Sequence, residues 1–197
     1  GDGVNYKKKL LYNKIENKGY TVGAISPMNL KNTLINPSYF IPDPWTKTDS
    51  DKSFLSRQLT KILRKTVNEN ANNKIEIKDY FKLFGIVILA VRLKDYFFFF
   101  KLVLSSFKYK WRKALILDYI VHSIHLKLLK KKNPNFSSVF FNAGAHIQHH
   151  YLLNSKVNIS KLKNPSFKVP KKKDPFIESI EFYNKILSDY FLIKDAE

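Results

Sequence analysis

The chain has 197 residues, is 44% hydrophobic with 16 Phe and 11 Tyr, and carries a formal charge of +19. Its length suits one domain or one and a half small ones, and its aromatic content excludes a chain disordered throughout. With no cysteine, disulfides and thiolate metal sites are excluded as well.

The charge admits two readings. An anionic partner such as nucleic acid, a membrane surface or a phosphorylated substrate is one. Compositional bias is the other, and it is favoured, because only Arg57, Arg64, Arg92 and Arg112 among the 35 basic residues are arginine. Specific phosphate and base readers favour the planar arginine fork. No secretory signal is visible. The sequence begins Gly1-Asp2-Gly3 rather than with methionine, so its true start is expected upstream. Without cysteine the redox compartment cannot be read, and a cytoplasmic setting is only slightly favoured.

In chain order, Leu10 to Asn17 reads as the end of a helix, closed by Gly19 in a left-handed conformation. Tyr20 to Ser26 reads as a short buried strand, and Pro27-Met28-Asn29 forms the loop at its carboxyl end, where open α/β sheets bind ligands. Asn36 to Trp45 is extended and punctuated by three prolines. Within it Asp43 is either part of a rigid corner or a rim residue that touches substrate; the flanking prolines account for the rigidity without function. Thr48 to Asp51 offers N-caps for a helix with Leu55, Leu59, Ile62, Leu63 and Val67 on one face, ended by Asn68 to Asn73. Residues 78–132 read as mostly helical, with Ile116, Ile120, Ile124 and Leu128 as a stripe. The apolar runs Gly85 to Val91 and Phe97 to Phe100 fall well short of the ~20 residues a membrane span needs. They read as buried or interfacial helix. His122 and His125 read as ordinary helix-face histidines.

Phe136 to Asn142 reads as a strand running into a tight turn at Ala143-Gly144-Ala145. Residues 156–173 hold seven lysines and no acid and read as a solvated loop or linker. Asp174-Pro175 opens a last helix, with Asp174 as cap, Pro175 at the first position and Glu178 in the first turn. Phe176, Ile180, Tyr183, Leu187 and Tyr190 are its expected apolar face. The resulting expectation is an α/β chain: residues 1–49 as the first part of a core, 50–132 as a helical insertion or cap, and 133–197 as the second part of the core.

Chemistry concentrates in Asn142 to Tyr151, where three of the five histidines fall. His146 and His150 are four apart, so one helical turn faces both the same way, and two such imidazoles can chelate one ion. Alternatively they are surface or core histidines of a strand-to-helix connection. There is no GxxxxGK phosphate loop and no GxSxG nucleophile elbow.

The order of "KGYTVGAISPMN", "YFIPDPW", "VFFNAGAHIQHHY" and a final amphipathic helix resembles the middle of alkaline phosphatase superfamily proteins, in the type I phosphodiesterase/nucleotide pyrophosphatase branch. His150 matches that branch's metal-binding histidine of an Asp-x-x-x-His motif. His146 stands where the motif has aspartate, which removes a negative charge. Asn142, Gln148 and His149 would line the same loop. The resemblance covers residues 8–45 and 136–193 and implies a partial alkaline-phosphatase-like core with few, mostly parallel strands. It implies a metal-dependent hydrolase of phosphate, phosphodiester or sulfate esters, using two divalent ions such as zinc on an anionic ester substrate. The nucleophile and the remaining ligands would lie outside these residues. The alternative is a non-enzymatic basic module, with Lys-rich segments 101–132 and 156–173 on nucleic acid or an anionic membrane surface. Against nucleic acid, only Phe167 is available for stacking among the lysines of 156–173.

Overall fold

The computed structural model describes residues 10–70, 85, 87, 88 and 90–194. The expected helix end at 71–73 and the expected helical residues 78–84 therefore lie outside the described residues. The chain is α/β. Its elements are α1 (Leu11–Glu16), β1 (Val22–Ile25), β2 (Tyr39–Ile41), α2 (Phe54–Asn70), α3 (Tyr96–Ser106), α4 (Arg112–Lys132), β3 (Phe136–Val139), α5 (Ala143–Tyr151) and α6 (Pro175–Lys194). Single 3₁₀ turns at Leu93–Asp95 and Leu152–Asn154 precede α3 and follow α5.

The chain divides into two units. The first comprises Gly1–Ala90 and Ile124–Phe140, the second Val91–Ser123 and Phe141–Glu197. The boundary therefore cuts the 50–132 segment twice, with α2 in the first unit and α3 in the second.

The first unit is built on a three-stranded parallel sheet of order β2-β1-β3. β1 is central and buried throughout, as its unbroken apolar run requires of a parallel strand covered on both faces. Gly19 holds φ +84 after α1, the left-handed turn that glycine takes without steric cost. β2 was legible only as extended chain, because prolines bracket its three residues. Its outer edge is closed by Asp51, whose amide donates to Phe40 O while its carboxylate accepts from Phe40 N. That closure removes an open strand edge, and α2 packs on β2 beside it. Leu59 and Leu63 of α2 are buried. Ile62 and Val67 fall outside the described side chains.

One row crosses the whole sheet. Gly23 stands opposite Tyr39 on one side and Ser137 on the other. The Tyr39 ring lies so close over Gly23 that an added Cβ would overlap it. Tyr39 OH thereby reaches Ser137 Oγ at 2.6 Å, and Ser137 Oγ meets His125 Nε2 at 2.7 Å. The glycine of the β1 motif is thus required by the approach of a tyrosine from the neighbouring strand.

In the second unit α5 packs on α6. Asp174 caps α6 as anticipated: Oδ1 accepts from Phe176 N at 3.0 Å, and Oδ2 accepts from Ser155 Oγ and Lys156 N. The buried face of α6 differs from the expected one. Ser179, Phe182 and Ile186 are buried, whereas Ile180 and Leu187 are about half exposed. At ~100° per residue the face has turned by about a quarter of the circumference. Asp189 explains the rotation, because it must meet Arg92 and His122. Arg92 grips its carboxylate with two nitrogens at 2.8 and 2.6 Å.

Candidate functional site

The tight turn expected at Ala143-Gly144-Ala145 is instead the first turn of α5. Its exposed amides are held from two other helices. Asp118 of α4 accepts from Asn142 N at 3.2 Å and from Ala143 N at 2.9 Å. Tyr183 of α6 accepts from Gly144 N at 2.6 Å and donates to Asp118 Oδ2 at 2.7 Å. A carboxylate at a helix start satisfies orphan donors and complements the positive end of the dipole. Burial pushes the Asp118 carboxyl above its ordinary value, while these hydrogen bonds pull it back. Gly144 has no room for a side chain, since a Cβ would come within 2.7 Å of the Tyr183 ring.

With its start fixed and Ala143, Ile147 and Tyr151 buried, α5 has a defined rotation. His146 and His150 fall together on one side, their rings edge to face with centroids 4.5 Å apart. Burial, and then the neighbouring His150 and His149, push the His146 imidazole below its ordinary value. Neutral imidazole is the form that ligates metals. His150 is also stacked on Phe167, with centroids 4.2 Å apart. The Lys-rich segment is therefore laid onto α5 at this point. Asn164 fastens it: Nδ2 donates to His150 O, and its backbone bonds both ends of the Asn154 amide.

The other site candidates are placed less uniformly. Asn142 is the N-cap residue, but its side chain makes no capping bond. His149 lies next to the pair round the helix, whereas Gln148 is roughly opposite it at ~100° per residue; both are exposed. Asp43 belongs to the first unit and is buried. Its carboxylate accepts from the backbone amides of Asn29, Trp45 and Thr46 and from Thr46 Oγ1, which ties its own corner together. Among the described residues no group of three or more His, Cys, Asp or Glu converges on a metal position. His146 and His150 offer two nitrogen donors, where a tetrahedral zinc site takes four ligands.

Two features escaped the sequence reading. His122, read as an ordinary helix-face histidine, is buried and holds two polar partners. It stands between Asp189 (Nε2 to Oδ2, 3.1 Å) and Tyr190 (Nδ1 to OH, 3.2 Å). The carboxylate can only accept, so Nε2 carries the proton and Nδ1 accepts from Tyr190. Burial lowers the His122 pKa, and the opposing pull of Asp189 is weakened because Arg92 already neutralises that carboxylate. The second feature is that β3 shares a cleft of about 430 Å³ in the first unit with the Pro27-Met28 loop, read from the sequence as a ligand-binding end, at the carboxyl ends of β1 and β3. Tyr12, Pro27, Met28, Val139 and Phe140 contribute to its walls, and this end of the strands is where α/β sheets take ligands.

Three of the arginines prove structural. Arg64 donates to the carbonyls of Thr46 and Thr48, Arg92 holds Asp189, and Arg112 Nε lies 2.6 Å from Glu178 Oε1. No helix among the described residues is long and apolar enough to cross a membrane. Comparison with family models, curated proteins and solved structures returned no match.

Proposed function

We propose that this chain supplies a metal-holding helix and part of the α/β core of a hydrolase acting on phosphate, phosphodiester or sulfate esters, of the alkaline phosphatase kind its motifs resemble. The observation that carries this reading is the convergence of His146 and His150 on one side of α5. Two imidazoles at this spacing suit a divalent ion, and zinc fits nitrogen donors well. When bound, such an ion polarises an ester oxygen and lowers the pKa of a coordinated water. The remaining ligands and the nucleophile are assigned to parts of the enzyme outside this chain.

The chain's own residues hold and orient. Ile147 and Ala143 lock the inner face of α5, and Phe167 fixes the plane of the His150 ring. Asp118 and Tyr183 pin the start of the helix. Asn142 and His149 are assigned to contact with the anionic substrate, and the lysines of 156–173 to its electrostatic attraction.

Zinc content of the full-length protein, measured by mass spectrometry beside His146→Ala/His150→Ala, tests the proposal. The wild type should carry zinc and the double variant should lose at least half of it. A wild type without metal, or a variant that keeps all of it, rejects the reading. His146 is exposed and His150 is half-buried beneath Phe167, and alanine suits a helix interior, so the variant should retain the wild-type circular dichroism.

A further inference from the structure

Helix α3 and the turn before it carry an apolar stripe that faces outward. Leu93, Phe97 and Phe107 are 83%, 82% and 81% exposed, and Phe100 and Leu104 are exposed between them. Their spacing of four, three, four and three keeps all five on one line along the helix. The opposite side holds the buried residues Phe99, Leu102 and Ser106. A helix apolar all round is normally buried all round; here one side is buried and the other is open.

Lysines run along one edge of the stripe. Lys94, Lys101 and Lys108 recur every seven residues and are exposed, about 80° round the helix from the stripe. Between Leu93 and Lys113 the only acid is Asp95, which is buried and paired with Arg92. Lys101 also borders a cleft with Glu178 and Glu181 of α6, where Arg112, Lys173 and Lys185 join it, so the edge carries a net positive charge. Lysine stems can lie along apolar surface while the ammonium reaches outward.

We infer that this face docks on an anionic lipid bilayer, with the Phe/Leu stripe sunk to the acyl boundary and the three lysines among the headgroups. Amphipathic helices with Phe and Leu on one side and Lys beside it bind in this way. Charge decides between occupants. A second copy packed stripe to stripe would bring together two surfaces that are each net positive. Nucleic acid would use the lysines and aromatic rings but has no use for Leu93 and Leu104, which lie in the same line. The inference is independent of the hydrolase reading.

Flotation with phosphatidylcholine vesicles, with and without phosphatidylglycerol, tests it. Two variants accompany the wild type, Phe97→Ser/Leu104→Ser and Lys94→Gln/Lys101→Gln/Lys108→Gln; all five positions are exposed, so both variants should fold. The wild type should float only with the anionic vesicles and be released by salt. A lysine near an anionic surface is worth about fivefold in partition, so the lysine variant should bind about a hundredfold more weakly. The apolar variant should lose at least tenfold. The inference is overturned if the wild type floats with neither vesicle or if both variants float as it does. It is equally overturned if ultracentrifugation finds a dimer that the Phe97→Ser/Leu104→Ser variant dissociates while flotation is absent.

Discussion

Tyr39 and Gly23 constrain each other through space, and neither residue alone shows it. The ring occupies the volume a Cβ at position 23 would need, and its hydroxyl is held by Ser137. Gly23→Ala should therefore destabilise the protein by about 1–3 kcal/mol, as overpacking does, measured as a lower urea midpoint. In a Tyr39→Leu background the same substitution should cost less. Equal costs in both backgrounds would remove the explanation. His122 offers a test by pH. Its folded-state pKa is lowered by burial, so the unfolded chain takes up a proton first as pH falls. Stability should thus be fully present above the ordinary histidine value near 6.5 and decline as pH drops from there toward the lowered folded value. His122→Phe should flatten that slope, by at most about 1.4 kcal/mol per pH unit. An unchanged slope would mean that His122 is protonated in both states.

Among the elements, those with local start or stop chemistry were the most legible. Gly19 ended α1, the unbroken apolar run of Val22 to Ile25 made a strand, and Asp174-Pro175 started α6. The capping of α5 was not legible, because its partner Asp118 stands 25 residues before Ala143 and Tyr183 stands 39 after Gly144. The pairing of His146 with His150 was legible because four residues make one turn, whereas the stacking of Phe167 on His150 needed the fold of the Lys-rich segment. The face of α6 was misplaced because the helix is apolar on more than one side, and the ion pair at Asp189 decided its rotation. Asp118→Ala removes the acceptor for two amides and the partner of the Tyr183 hydroxyl in a buried setting. It should cost about 2–4 kcal/mol and speed hydrogen exchange at Ala143 and Gly144 relative to the interior of α4. Exchange rising equally everywhere would mark general destabilisation instead. Gly144→Ala should also destabilise, against the usual gain from replacing a helical glycine, because the Tyr183 ring is fixed by its bond to Asp118.

At the scale of the whole molecule, neither unit is one continuous stretch of chain. The sequence passes from the first unit to the second, back, and out again, with one passage inside α4 between Ser123 and Ile124. A chain truncated after residue 133 lacks β3 and with it the partner of Tyr39. It should bind more of the dye ANS than the intact chain does, and aggregate more readily. A truncated chain with a sharp, cooperative melting transition would contradict the role given to β3. The same feature sets a schedule during synthesis. Thr21 at the head of β1 bonds Asn135 just before β3, and the two are 114 residues apart. At about 5–20 residues per second, β1 emerges from the ribosome on the order of ten seconds before its second neighbour exists. For that interval the buried central strand of the sheet has one open edge, and a chaperone that shields nascent chains has its natural target there.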